Sequence, residues 1–249
     1  QDGHSHLLAS TIPNIRTYDP AFAYEIAAIL HDGLIRMYRD GEDVFYYITL
    51  QNESYPMPSM PESVTKEEIL QGLYPFRRAL EGRRENHVQL FGSGSILLEV
   101  LRAQEILETR FGVSADVWSA TSYLLLRRDA LATERWNMLH PEAPPRRSFL
   151  ETQLAGVEEP VIAATDFLKA VPDQIARWVP GGLTSLGTDG YGRSDTREAL
   201  RRHFEVDAES ITVAALYRLA RMGRISPTIV TRAITSFGID PERIDPAIA

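Results

Sequence analysis

The polar run Asp2-Gly3-His4-Ser5-His6 gathers two imidazoles and a carboxylate, proton-handling and metal-ligating groups, within five residues. On an extended backbone residues 2, 4 and 6 face one way, and Asp-x-His-x-His could then offer three ligands to zinc or a similar ion. His31, His87, His140 and His203 lack the spacing that would complete a zinc motif. Two other readings stand beside metal binding. One is acid–base or substrate-orienting work at a cleft, because imidazole titrates near neutrality. The other is a solvated loop, which composition alone favours.

Two further stretches carry groups that can hold a ligand. Gly92-Ser93-Gly94-Ser95 lies between an apolar run and an amphipathic one, where the backbone N–H groups opening a helix can hold an anion. It matches neither GxGxxG nor a phosphate loop, and a tight strand-to-helix connection explains it equally well. Thr188–Arg197, TDGYGRSDTR, also follows a strand and opens a helix, so Arg193 and Arg197 could grip a carboxylate or phosphate. The plainer reading has glycines shaping the turn, Asp195 capping the helix and the arginines pairing with neighbours. Glu134–His140, ERWNMLH, reads as a half-exposed helix end. No Gly-x-Ser-x-Gly elbow is present, and no Ser/His/Asp set stands out, so the residues alone name no reaction.

The elements that must position these groups alternate. Asn14–Tyr18 reads as a strand, Asp19-Pro20 as the start of a helix through Met37, and Val44–Leu50 as a strand buried on both faces. Gln51–Ser63, with Pro56, Pro58 and Pro61, is the best domain boundary. Thr65 and Glu68 form a capping box for a helix ending at Gly72, and Arg77–Asn86 is a charged connector. Strands follow at Val88–Phe91, Asp116–Ala120, Val161–Thr165 and Leu183–Gly187, separated by helices from Ile96, over Ser122–His140, from Ser148 and around Phe167–Trp178. Pro172 must interrupt the last of these. Three helices close the chain: one capped by Asp195, one over Ala208–Met222, and one from Ser226-Pro227 to Gly238. The fold class is therefore α/β, a mostly parallel sheet flanked by helices on both faces.

The 249 residues contain no cysteine, which excludes disulfides, thiolate metal sites and a cysteine nucleophile and fits a cytoplasmic location. With 26 basic against 34 acidic side chains, the formal charge of −8 argues against nucleic acid or an anionic membrane as the main partner. No run approaches the roughly 18 apolar residues of a membrane span. The first residues hold neither a methionine nor a signal core and read as the interior of something longer.

QDGHSHLLASTIPN, YDPAFAYEIA, VFYYITLQNESYPMP, VQLFGSGSIL, ERWNMLHP and LGTDGYGRSDTREALRRHFEVD resemble the homodimeric bacterial pyruvate dehydrogenases, thiamine diphosphate enzymes related to transketolase. The resemblance runs along essentially the whole chain. It implies that residues 1–62 end a pyrimidine-binding domain and residues 63–249 form a transketolase-like C-terminal domain. It further implies oxidative decarboxylation of pyruvate and transfer of the acetyl group to lipoyl groups of the dihydrolipoamide acetyltransferase component, the organic chemistry belonging to the cofactor. A second copy of the polypeptide is the other implied partner. Thiamine diphosphate and Mg2+ would be bound mainly upstream, because the family's Gly-Asp-Gly and Asn-Asn signature is absent; Thr188-Asp189-Gly190 has no Asn-Asn after it. Asp2 and His6 match the Asp-Gly-x-x-His that lines the substrate channel of transketolases, whereas His4 has no counterpart. The stretch Tyr123–Ala130 departs from the family pattern. The resemblance makes the chain a scaffold, dimer-contact and cleft-rim portion, inactive alone. The alternative is an independent α/β ligand-binding or protein-interaction module using the Gly92–Ser95 and Asp189–Arg197 loops. In either case the first 60 or so residues should expose apolar edges, inviting self-association or disorder.

Overall fold

A computed structural model describes residues 2–80, 82 and 85–249. Parts of the charged connector, at Glu81, Arg83 and Arg84, lie outside the described residues.

The chain opens with a short helix α1 (Ser5–Ala9) and strand β1 (Ile15–Tyr18). Helix α2 (Ala23–Leu34) follows and ends in a π-helical turn over Ile35–Arg39. Strand β2 (Phe45–Ile48) returns parallel to β1, Ile15 facing Phe45 and Tyr18 facing Ile48. The expected helix start at Asp19-Pro20 moves inward to Phe22, because the Glu25 carboxylate covers the Ala21 and Phe22 N–H groups while the Asp19 carboxylate is engaged elsewhere. Strand β2 is also less buried than expected. It is the edge of a two-stranded sheet, and Phe45 is 43% exposed. Leu30, Leu34 and Tyr38 are exposed as well, so this block leaves apolar side chains on its surface although its elements are regular.

After the proline-rich segment comes α3 (Lys66–Gln71), closed by the Thr65–Glu68 capping box and by Gly72 at φ +112°. Strand β3 (Tyr74–Arg77) was not foreseen in the sequence. It pairs antiparallel with a later strand, and Pro75, lacking an N–H, suits the edge position it occupies. Then follow β4 (His87–Gly92), α4 (Ile96–Ile106), β5 (Ser114–Ser119), α5 (Tyr123–Leu139), α6 (Phe149–Gln153) and β6 (Val161–Ala164). Pro172 breaks the next helical region into α7 (Ala170–Asp173) and a 3-10 turn over Ala176–Trp178, before β7 (Leu183–Leu186). Helices α8 (Arg197–His203), α9 (Ala208–Arg221) and α10 (Pro227–Ser236) end the fold. Thr196, not Asp195, caps α8, its hydroxyl accepting from the Ala199 N–H at 3.2 Å.

The main sheet has the order β3-β5-β4-β6-β7, all parallel except β3. Every residue of the central strand β4 is buried, because helices cover both faces. Val88 and Leu90 enter the core shared with α4, α9 and α10, whereas Phe91 packs with Trp118, Leu126 and Leu150 on the α5–α6 side. The chain leaves β4 for β5 on one side and later crosses to β6 on the other. In open sheets of this kind that reversal marks the place where ligands collect, at the carboxyl ends of the strands.

Candidate active-site rim

The first polar run is not extended. The Asp2 carboxylate accepts from the N–H groups of Ser5 (2.9 Å) and His4 (3.2 Å), which turns the backbone into α1. Residues 2, 4 and 6 therefore do not share one face, and the three-ligand reading fails. Asp2 and His4 are exposed and border an open pocket with Gln51, Glu53, Ser95 and Asp166, while His6 turns inward. Despite some burial, the hydrogen bonds from Ser5 and His4 hold Asp2 below the usual carboxylate range.

His6 is 5% exposed and lies edge-on to Phe167 and Tyr47, with centroids 4.4 and 5.3 Å away. Burial pushes its pKa down to about 4, against the pull of Asp2. The ring is therefore neutral at pH 7 and can orient a partner but not store a proton. Its Nε2 lies 3.1 Å from Thr49 Oγ1. Thr49 in turn donates to Asp19 at 2.7 Å, and Ser93 donates to the other Asp19 oxygen, also at 2.7 Å. Burial raises Asp19 to about 6 in spite of these two donors.

The Gly92–Ser95 turn thus holds a side chain of its own protein. Besides the Ser93 bond, the Gly94 N–H donates to the Asp19 carbonyl at 3.0 Å. Gly94 has φ +49°, and a Cβ there would come within 2.7 Å of the Asp19 carboxylate. Gly94→Ala should therefore cost about 1–2 kcal/mol from backbone conformation alone, and more if Asp19 is displaced. Unchanged stability in urea would contradict this packing.

The Asp189–Arg197 loop likewise turns to internal partners. Asp189 accepts from the Lys169 N–H at 3.1 Å, and Arg197 donates to the Asn52 carbonyl at 2.9 Å and to its side-chain oxygen at 2.5 Å. Arg201, which the sequence did not single out, spans the pocket wall, reaching Glu53 at 2.5 Å, Glu99 at 3.2 Å and Ser95 at 3.3 Å. Arg193 borders the same pocket. Asp166, at the end of β6, is raised to about 6, first by burial and then by the nearby Asp19 charge. Asp19, Thr49, Asp166 and Arg201 carry no local signature, because each acquires its neighbours from distant segments. Farther away, ERWNMLH is the helix end expected of it, with His140 stacked on Trp136 and Arg146 3.6 Å from the Trp136 ring centroid.

Residues 72–207 match the family model for the transketolase-like TK C-terminal domain, more than half of the chain. The chain belongs to that family. Residues 1–58 match the pyruvate dehydrogenase E1 component middle domain, so the resemblance read from the sequence stands at both ends. The pyruvate dehydrogenase E1 component of Pseudomonas aeruginosa is 51% identical over 249 residues, covering 99% of this chain and 28% of that protein. The Escherichia coli K12 protein of the same name is 49% identical, covering 100% of this chain and 28% of that protein. The chain thus spans just over a quarter of the length of these curated relatives. Among solved structures, Leishmania mexicana transketolase gives a TM-score of 0.61 at 14% identity, over 89% of this chain and 28% of that one. A split-gene transketolase, an inactive beta4 tetramer, gives 0.59 at 16%, over 88% and 63%. At such identities these structures speak for the fold, a mostly parallel sheet with helices on both faces.

Among the described residues no three His, Asp or Glu side chains converge as metal ligands. At the glycine-rich turn the Ser93 hydroxyl donates to the Asp19 carboxylate, a negative charge that disfavours a diphosphate beside it. No helix among the described residues is long and apolar enough to cross a membrane.

Proposed function

We propose that this chain is the substrate-side rim and scaffold of a pyruvate dehydrogenase E1 polypeptide, a cytoplasmic bacterial enzyme. In this reading residues 1–62 complete a pyrimidine-binding domain and residues 63–249 form the C-terminal domain. The longer polypeptide, as a homodimer, binds thiamine diphosphate and Mg2+ outside these residues. It decarboxylates pyruvate oxidatively and passes the acetyl group to the lipoyl-bearing dihydrolipoamide acetyltransferase. The observation that carries the reading is the near-50% identity to E1 components along the entire chain. Asp2 and His6 contribute from the first turn, Asp2 as an exposed anion at the pocket mouth and His6 as a neutral hydrogen-bonding group. The chain by itself is inactive.

Two measurements test this. Calorimetric titration of the chain with thiamine diphosphate and Mg2+ should give no tight binding, and micromolar affinity would move the cofactor site into these residues. In the longer polypeptide, His6→Ala should lower kcat/KM for pyruvate about 10- to 100-fold, the loss of one or two hydrogen bonds at the transition state. Wild-type kinetics in that variant would remove His6 from the site.

A further inference from the structure

We propose that Asp19, acting through the hydroxyl of Thr49, fixes His6 as the tautomer with its proton on Nε2 and a bare lone pair on Nδ1. The catalytic meaning of this rests on the role proposed for His6, whereas the tautomer does not.

The argument is a count of hydrogens. Asp19 is 6% exposed, and its two carboxylate oxygens receive Thr49 Oγ1 and Ser93 Oγ, each at 2.7 Å. An ionised carboxylate only accepts, so both hydroxyls must donate to it. Thr49 has one hydroxyl hydrogen and two acceptors in reach, Asp19 at 2.7 Å and the Tyr18 carbonyl at 3.3 Å. The shorter, charge-assisted bond wins. With its hydrogen committed to Asp19, Thr49 presents a lone pair to His6 Nε2, 3.1 Å away. Nε2 must then be the donor. A neutral imidazole carries one N–H, so Nδ1 is left as an acceptor.

The three partners come from separate segments: His6 from α1, Asp19 from the end of β1, and Thr49 from the end of β2. They are held in register by independent bonds. The Thr49 N–H donates to the Tyr18 carbonyl at 3.0 Å, and the Gly94 N–H donates to the Asp19 carbonyl at 3.0 Å. Phe167 and Tyr47 set the plane of the His6 ring from two sides. The second protein partner of Ser93, Thr165 Oγ1 at 3.1 Å, lies at the end of β6, so the node also ties the first block to the main sheet. Asp19 and Thr49 are accordingly positioning residues. They let His6 accept a hydrogen bond at Nδ1 without itself gaining a charge.

The test is the long-range 1H–15N correlation spectrum of the histidine rings at pH 7, which distinguishes the two neutral tautomers. The wild-type chain should show His6 as the pure Nε2–H form. Thr49→Val should give a mixture or the Nδ1–H form, and Thr49→Ser should restore the wild-type pattern. Asp19→Ala should weaken the preference, because the Thr49 hydrogen is then held only by the longer bond to the Tyr18 carbonyl; should that variant not fold, Thr49→Val decides alone. An Nδ1–H ring in the wild type, or an unchanged pattern in Thr49→Val, overturns the proposal. The kinetic arm is separate. In the longer polypeptide, Thr49→Val should lower kcat for pyruvate about tenfold, with Thr49→Ser near wild type. The expected tautomer pattern with unaltered kinetics would leave the positioning intact and remove His6 from catalysis. The converse result would keep His6 and discard the relay.

Discussion

Glu25→Ala should lower the free energy of unfolding by about 3–5 kcal/mol. Glu25 has no exposed surface, yet its carboxylate accepts from the Ala21 N–H (2.5 Å), the Phe22 N–H (2.9 Å), Tyr74 Oη (2.5 Å) and Ser119 Oγ (2.6 Å). Two of these donors open α2, and the other two belong to β3 and β5 of the main sheet. Truncation leaves both backbone N–H groups buried without an acceptor, and only Tyr74 has an alternative, the Tyr24 hydroxyl at 2.6 Å. Each such orphan costs about 1–3 kcal/mol. Since a domain is stable by only about 5–15 kcal/mol, the change consumes a large part of the total. Glu25→Gln keeps one acceptor oxygen and should lose less. Equilibrium urea unfolding of the three proteins measures the difference, and an alanine variant within experimental error of wild type would show that the two blocks are fastened elsewhere.

The second large effect is a pair of opposed pH dependences. Burial raises Asp19 from 3.8 to about 6, so between those values the folded chain holds a proton that the unfolded chain has lost. Stability from this group falls as the pH rises through that window. Burial lowers His6 from 6.5 to about 4, so the unfolded chain holds the extra proton, and stability rises across nearly the same range. Each slope is about 1.4 kcal/mol per pH unit, and in the wild type they offset one another. Removing one partner should unmask the other. Relative to wild type, Asp19→Asn should gain stability between pH 4 and 6, by up to about 3 kcal/mol. His6→Gln should lose a similar amount over the same interval. Asp166, also raised to about 6 first by burial and then by the Asp19 charge, loses the second part of that rise in Asp19→Asn, which adds to the gain in the same direction. Urea midpoints at the two ends of the window decide the matter. If both variants deviate from wild type in the same direction, the two groups do not titrate as described.

How much of this was legible beforehand depends on how local each signal is. Hydrophobic periodicity and caps placed β4, α4, β5, α5, β6 and the closing helices correctly, because those elements bury apolar side chains at regular spacing whatever lies beside them. Thr65–Glu68 is a capping box in the structure as in the sequence, and Ser148–Glu151 forms another, since both partners of each lie within one turn. The misreadings share another cause. VFYYITL has the composition of an interior strand, but burial depends on how many neighbours a strand finds, and β2 finds only β1 among the described residues. Tyr74–Arg77 shows no strand pattern in the sequence because Pro75 interrupts it, and only pairing with β5 makes it a strand. Asp19 and Asp195 both look like helix caps. The Asp19 carboxylate was claimed by Ser93 and Thr49, and the neighbouring Thr196 took the cap from Asp195.

The same division runs through the site. Residue types and order along the chain were enough to settle the α/β class and the family resemblance, and to single out Asp2 and His6 as candidates. Tertiary structure alone decided that Asp2 and His6 diverge in exposure, that Ser93 in the glycine–serine turn donates to Asp19, and that Arg201 closes the pocket wall against Glu53 and Glu99. The physical reason is that a cap or a periodic face involves residues within a few positions of one another. Desolvation, carboxylate pairing and the choice of a histidine tautomer are set by atoms that folding brings together from remote parts of the chain.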